Sequence, residues 1–221
     1  MNQTLDADLL IVGCGVAGLS AVVTAPEAGL NELNLGRPEE EPFGGTSRWT
    51  EAYMRMKNDA EVSDDFEEHF ANNAGWNIDP NVLSAHGDEA GQRPSYAKGH
   101  SLPDPDVIST FADSVPPTIS WLKGLGLKFE PQPIYLLSQN TTRIAAKGGG
   151  LAIIETLRGK APARGGENRY RTTAVELLRS DDGTITGIVC VRPEGRRETL
   201  RAKNVILASG GFQGNPEVMA Q

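Results

Sequence analysis

Asp8-Leu9-Leu10-Ile11-Val12-Gly13-Cys14-Gly15-Val16-Ala17-Gly18 is the stretch that decides the fold. Its first half is an apolar run stopped by a glycine, the pattern of a short strand buried on both faces of a parallel sheet. After the glycines at 13, 15 and 18, residues 15–29 read as a helix. Val16, Ala17, Leu19, Ser20 and Val23 keep one side small or apolar, and Gly29 supplies the stop. Pro26 lies inside that pattern and predicts a distorted last turn. Strand, glycine turn and helix in this order begin a βαβ unit that binds a dinucleotide. Gly13 permits the tight turn, Gly15 lets the main chain approach a diphosphate, and Gly18 lets the helix pack closely on the strand. Val16 and Ala17 place amides at the helix start, where unpaired N–H groups and the helix dipole favour an anion. The glycine pattern alone does not separate FAD from NAD(P).

Outward from this unit, residues 30–35 read as the second strand. The usual companion of the glycine turn is an acid at that strand's end, which accepts hydrogen bonds from the ribose hydroxyls. Counting places Gly36 there, with Glu32 too early and Glu39 too late. The run Glu39-Glu40-Glu41 reads either as solvated charge or as a displaced ribose ligand. Residues 36–60 are loop-like and contain Gly44-Gly45-Thr46-Ser47, whose glycine amides and hydroxyls suit an anion. A charged helix is expected over 64–74, followed by a polar stretch to 104 with little periodicity. His69, His86 and His100 read as surface or loop residues without metal-ligand spacing.

Residues 106–125 predict a helix in two pieces, because Pro116-Pro117 can open a helix but not continue one. Short strands are expected at 127–129 and 134–137, and a helix at 151–157 after Gly148-Gly149-Gly150. The remainder reads as strands over 169–178, 184–192 and 198–201, then a second buried parallel strand from Asn204 that ends in glycines. The fold class is therefore α/β, a Rossmann-like parallel sheet with helices and an antiparallel β-meander. Residues 1–60 and 140–221 would form the nucleotide-binding domain, and 61–139 a helical and loop insertion packed on it.

The 221 residues suffice for one sizeable core, and 38% hydrophobic with 23% charged residues is a globular composition. A net charge of −8 and a pI near 5.0 repel nucleic acid and anionic lipid. Cys14 and Cys190 give no disulfide framework and suit a reducing compartment. The apolar run 9–12 is far too short for a signal peptide or membrane span, so a cytoplasmic location is expected.

Gly13-Cys14-Gly15-Val16-Ala17-Gly18, Pro38-Glu39-Glu40-Glu41, Gly44-Gly45-Thr46-Ser47-Arg48 and Ala208-Ser209-Gly210-Gly211-Phe212 with Asn215-Pro216-Glu217 fall in the order of a known family. In these motifs the chain resembles the fumarate reductase and succinate dehydrogenase flavoprotein superfamily, and most of all its soluble tricarballylate dehydrogenase branch. The resemblance implies FAD, with Gly13, Gly15, Val16, Ala17 and Gly18 at the pyrophosphate and Gly44, Gly45, Thr46 and Ser47 at pyrophosphate and flavin. It implies adenine recognition by the backbone of Ala174 and Val175, and a return to the cofactor at Ala208, Ser209 and Gly210. The family attaches FAD covalently through a histidine near the Gly-Gly-x-Ser loop; residues 49–54 hold none, which implies non-covalent flavin. The family's substrate-capping lobe, with the residues that polarise a carboxylate substrate, would follow the last motif and has no counterpart here. Two readings stand: the FAD-binding N-terminal part of a flavin-dependent dehydrogenase or reductase of a polycarboxylate-like substrate, or a catalytically silent nucleotide-binding piece, either a truncated fragment or a module completed by another chain. The electron partner is not specified.

Overall fold

The computed structural model describes residues 6–37, 43–54, 56–58, 61–62, 105–132, 143–161 and 167–220. In chain order the strands are β1 (Asp6–Val12), β2 (Glu32–Leu35), β3 (Tyr53–Met54), β4 (Met56–Asn58), β5 (Glu61–Val62), β6 (Phe129–Pro131), β7 (Ile144–Ala146), β8 (Glu167–Arg169), β9 (Thr173–Arg179), β10 (Ile185–Val191) and β11 (Arg197–Leu207). The helices are α1 (Val16–Thr24), α2 (Pro105–Gly124), α3 (Gly149–Lys160) and a single turn, α4 (Pro216–Met219). The chain divides into two compact units, Met1–Ala52 with Leu125–Leu127 and Ala146–Gln221, and Tyr53–Gly124 with Lys128–Ala145.

The first unit is built on a six-stranded sheet ordered β8-β2-β1-β11-β10-β9. β1 pairs in parallel with β2, Val12 opposite Leu35, and with β11, Val12 opposite Leu207. β2 pairs in parallel with β8, whereas β11, β10 and β9 form an antiparallel meander. Leu33 and Leu35 of β2 share one core cluster with Ile188 and Cys190 of β10, although β1 and β11 lie between them. In a flat sheet three strand spacings would separate them by about 14 Å. The meander must therefore fold back over the sheet face, and the Arg169–Glu198 ion pair at 3.7 Å between β8 and β11 requires the same bend. Register shifts between Ile185 and Gly187 and between Val189 and Cys190 supply the irregularity that bends β10. On the opposite face Leu9 and Ile11 pack under Val22 of α1, Ala25 and Ala161. The sheet is thus covered on both sides, as the apolar runs of β1 require.

In the second unit β3 pairs antiparallel with β7, β4 pairs with β5, and Met56, Ile119 and Ile144 form the core.

Several elements differ from the sequence reading. Helix α2 is continuous, with Pro116 and Pro117 inside it. Each proline removes one backbone donor, yet Ala112, Ile119 and Leu122 are buried along one side and Val115 packs against the same core. That apolar stripe crosses the prolines without a break, so packing outweighs the lost hydrogen bonds. The expected strand 169–178 is two strands: β8 ends at Arg169, the chain turns at Arg171 with φ of 52°, and β9 begins at Thr173. Conversely, the strands expected at 198–201 and from 204 are one strand, β11, which changes partner from β10 to β1 along its length. Its last part is parallel as expected but not buried, since Ile206 and Leu207 are exposed. The region taken as loop holds a 3-10 turn, Gly45–Trp49, and the short strands β3 and β4. Pro26 does end α1 early, the chain continuing as a 3-10 turn Ala25–Ala28 closed by Gly29 at φ of 72°. The second strand is shorter than expected, and β6 and α3 extend past their expected bounds. The helix expected over 64–74 and the strand over 134–137 lie outside the described residues.

Candidate functional site

The glycine turn closes at the carboxyl ends of three parallel strands. Gly13 N–H donates to Leu35 O at 2.8 Å, and Ala208 N–H donates to Val12 O at 2.8 Å. These bonds pull β2 and β11 onto the turn and leave no room for side chains there. A Cβ at Gly13, where φ is 125°, would overlap the Ala208 carbonyl, and a Cβ at Gly18 would overlap the Gly13 carbonyl. Gly15 differs: its φ of −79° suits any residue, and a Cβ there would stand 3.3 Å from Ser47 Oγ and 3.8 Å from Gly44 O. Gly15 caps α1 without a side-chain hydrogen bond, so the first-turn amides have no acceptor from their own helix. Of these, Val16 N–H donates to Ser47 Oγ at 3.2 Å.

The second loop is carried to that place by α3. Gly44 and Gly45 both have positive φ, 95° and 55°, which opens the 3-10 turn Gly45–Trp49. A Cβ at Gly44 would press on Ile154 Cγ2 at 2.7 Å, and one at Gly150 would overlap Ser47 O. Gly150 N–H donates to Thr50 O at 2.7 Å, which fixes the loop on the start of α3. Gly45 and Thr46 are exposed and Ser47 half-buried. The fold therefore gathers Gly13, Gly15, Gly18, Gly44, Ser47 and Ala208 around the start of α1. Val16 and Ala17 are exposed there, and Ser209 and Gly210 continue exposed from Ala208. On β9, Ala174 packs against the core cluster holding Leu10 and Leu35, while Val175 is exposed.

At the end of β2 the ribose-acid position is occupied by buried Gly36, whose backbone is fully engaged. Its N–H donates to Arg169 O and its carbonyl accepts from Thr172 N–H, both at 2.9 Å. A Cβ at Gly36 would overlap Cys14 Sγ and stand 3.5 Å from the Tyr170 ring. Cys14 thus fills the space that a side chain at 36 needs, a pairing of two distant residues that nothing in the sequence signals. Beneath it, buried Asn34 donates through Nδ2 to Asn168 Oδ1 at 3.0 Å and to Cys14 Sγ at 3.7 Å. Burial pushes the Cys14 thiol up to about 11, partly offset by the Asn34 hydrogen bond. Glu32 is only 4% exposed: it faces the same side as Asn34, burial raises its carboxyl, and its Oε1 has no partner. Glu39 to Glu41 lie outside the described residues, as do the three histidines.

Sequence reading also missed an aromatic and cationic group beside the second loop. The Arg158 guanidinium lies 3.9 Å from the Phe43 ring centroid and 5.9 Å from that of Tyr170, and Arg48 lies 5.2 Å from that of Trp49. Such stacking leaves no periodic trace. Among the described residues no group of three His, Cys, Asp or Glu could hold a metal ion, and no helix is long and apolar enough to cross a membrane.

Comparison with known proteins gives this geometry a context. The family model described as FAD binding domain matches residues 8–221. A vinyl phenol reductase of Lactiplantibacillus plantarum is 28% identical over 215 residues, covering 96% of this chain and 39% of the relative. A probable fumarate reductase of Shewanella frigidimarina is 25% identical over 220 residues, covering 96% of this chain and 33% of the relative. Among solved structures, the open conformation of a flavocytochrome c3 fumarate reductase superposes with a TM-score of 0.69 at 23% identity, over 99% of this chain and 36% of that one. The chain thus spans about a third of the length of the curated relatives it matches.

Proposed function

The chain belongs to the FAD binding domain family, and from that premise we propose that it is the FAD-holding part of a flavin-dependent dehydrogenase or reductase acting on a polycarboxylate-like substrate, as in the tricarballylate dehydrogenase branch. The observation that carries this reading is the meeting of two glycine-rich loops at one helix start. Gly15 leaves a cradle that a larger side chain would fill, and Ser47 Oγ already rests on the Val16 amide. In this reading the amides of Val16 and Ala17 and the backbone of Gly44 and Gly45 hold the pyrophosphate. Because Ser47 Oγ accepts from Val16, its own proton is left to donate to a phosphate oxygen. The turn at Ala208, Ser209 and Gly210 would line the flavin side, and the backbone of Ala174 and Val175 the adenine. Residues 43–54 contain neither histidine nor cysteine, which supports non-covalent binding. Bound FAD would supply hydride transfer, which also needs an oriented, water-excluded substrate. Fumarate reduction and aspartate oxidation, the activities in the names of matched proteins, motivate the carboxylate class.

Gly36 at the ribose-acid position favours a second reading, a nucleotide-binding module without turnover of its own. An absorption spectrum of the purified chain after FAD loading and desalting tests binding. Turnover of an artificial electron acceptor with fumarate or tricarballylate then separates enzyme from binder. A chain that emerges colourless from desalting would overturn the flavin assignment.

A further inference from the structure

A dinucleotide in a strand-turn-helix site lies across the carboxyl ends of the strands, its adenosine ribose at the end of the second strand and its pyrophosphate at the helix start. Here the second strand ends at the corner of Gly36 and Tyr170, so the flavin half of FAD leaves the start of α1 in the direction away from that corner. The loop 43–50 follows the same course along α3. At its beginning, the Arg158 guanidinium lies 3.9 Å from the Phe43 ring centroid and 5.9 Å from that of Tyr170, the ring beside Gly36. Next, a Cβ at Gly44 would press on Ile154, and at the far end Thr50 O accepts from Gly150 N–H at 2.7 Å. Positions 158, 154 and 150 are successive turns of α3, about 12 Å from first to last. The loop thus starts beside the adenosine corner, passes the pyrophosphate position where Ser47 meets Val16, and ends on the flavin side. Trp49 stands in that last part, 75% exposed. Its indole is held all the same: the Arg48 guanidinium lies 5.2 Å from its centroid, and Arg48 Nη1 donates to Phe43 O at 2.9 Å. A flat aromatic surface already held in place can stack on a planar ligand at little cost in side-chain freedom.

We propose that Trp49 is a flavin-contact residue, its indole packed on the isoalloxazine ring of bound FAD. The inference rests on the FAD reading and adds to it the side chain that meets the ring. Stacking of two aromatic systems is worth about two- to tenfold in affinity. Indole is also an electron donor. In contact it passes one electron to the light-excited ring and takes it back, so emission is lost while nothing is consumed.

The test loads the purified chain with FAD, desalts it, and measures emission per bound flavin in the parent, Trp49→Phe and Trp49→Leu, with FAD and ADP affinities by titration calorimetry. Trp49→Leu should brighten the bound flavin several-fold and weaken FAD by about two- to tenfold. Its ADP affinity should stay at the parent value, because ADP ends at the pyrophosphate. Trp49→Phe should bind FAD nearly as the parent does and still be brighter, since a benzene ring stacks but yields an electron less readily than indole. Trp49 is exposed, so neither change puts folding at stake, and equal melting temperatures check this. Equal emission per bound flavin in the parent and Trp49→Leu overturns the proposal. So does an equal loss of FAD and ADP affinity, which would make Trp49 a support of the loop and not a contact of the ring. A yellow parent with unchanged emission in Trp49→Leu removes only this inference, whereas a parent that desalts colourless removes the flavin reading and this inference with it.

Discussion

At the residue scale the three glycines of the first turn have separable duties. Gly13 and Gly18 are required by the fold, because a Cβ at either would run into backbone carbonyls. Gly15 has ordinary dihedral angles, and its missing side chain opens only onto Ser47 and Gly44. Gly13→Ala should therefore cost several kcal/mol of stability, on the order of 2 to 4 from strain and overlap. Gly15→Val should leave the melting temperature within a few degrees of the parent and yet abolish flavin retention. Thermal melts beside the flavin spectrum check both; a Gly15→Val protein that stays yellow would sink the pyrophosphate assignment. The glycine spacing was legible because each function imposes a residue type at a fixed offset. The pairing of Cys14 with Gly36 was not, since two residues 22 positions apart in the chain exclude each other only once folded. Gly36→Glu should destabilise the chain by about 1–3 kcal/mol through overpacking. In Cys14→Ala the obstructing sulfur is gone, so the double variant should lose less than the sum of the singles. Strict additivity in urea melts would show that the sulfur is not the obstacle.

At the element scale β2 is the strand whose sequence conceals its position. Its four residues, Glu32, Leu33, Asn34 and Leu35, alternate as a half-exposed strand would, yet all are buried. Being inside the edge strand β8 in a sheet covered on both faces explains this, and alternation cannot report it. The polar members then carry a cost: Glu32 has an unpartnered oxygen, and burial raises its carboxyl above the ordinary value of 4.5. A group whose proton is held more tightly in the folded state stabilises folding fully below its unfolded pKa and loses that contribution as pH rises through the folded one. Glu32→Gln, which never ionises, should thus raise the melting temperature at pH 7 and 8, with the gain shrinking as pH falls toward 4.5. A gain independent of pH would mean that the carboxylate is not the penalised species. Helix α2 and strand β11 teach the complementary lesson. Pro116-Pro117 is a strong local breaker, overruled by the apolar stripe from Ala112 to Leu122, and β11 joins two apparent strands because its partners change, not its backbone.

At the scale of the whole molecule, the parallel sheet and glycine turn were readable from the first 35 residues, whereas the folding-back of the meander depends on long-range packing that no local pattern encodes. The same packing leaves apolar surface at one place. Val16 at the start of α1 is 41% exposed and Leu207 at the end of β11 is 60% exposed, with Phe212 at 67% a few residues on. Leu207 pairs with Val12, directly before the glycine turn, so Val16 and Leu207 mark the same carboxyl end of the parallel strands. Among the described residues no strand pairs with the second side of residues 203–207. Ligands of open α/β sheets bind at this end, and clustered exposed apolar groups at such a place mark a surface that something covers. If the flavin lies there, its ring system and a hydrophobic dye should compete for the surface. The fluorescence of bound anilinonaphthalene sulfonate should therefore fall as FAD is titrated in, and the fall should be small when ADP replaces FAD, because ADP ends at the pyrophosphate. Leu207→Ser should weaken dye binding without loss of ADP affinity. Equal displacement by ADP and FAD would place the apolar surface away from the flavin and remove the reason for assigning Ala208, Ser209 and Gly210 to its side.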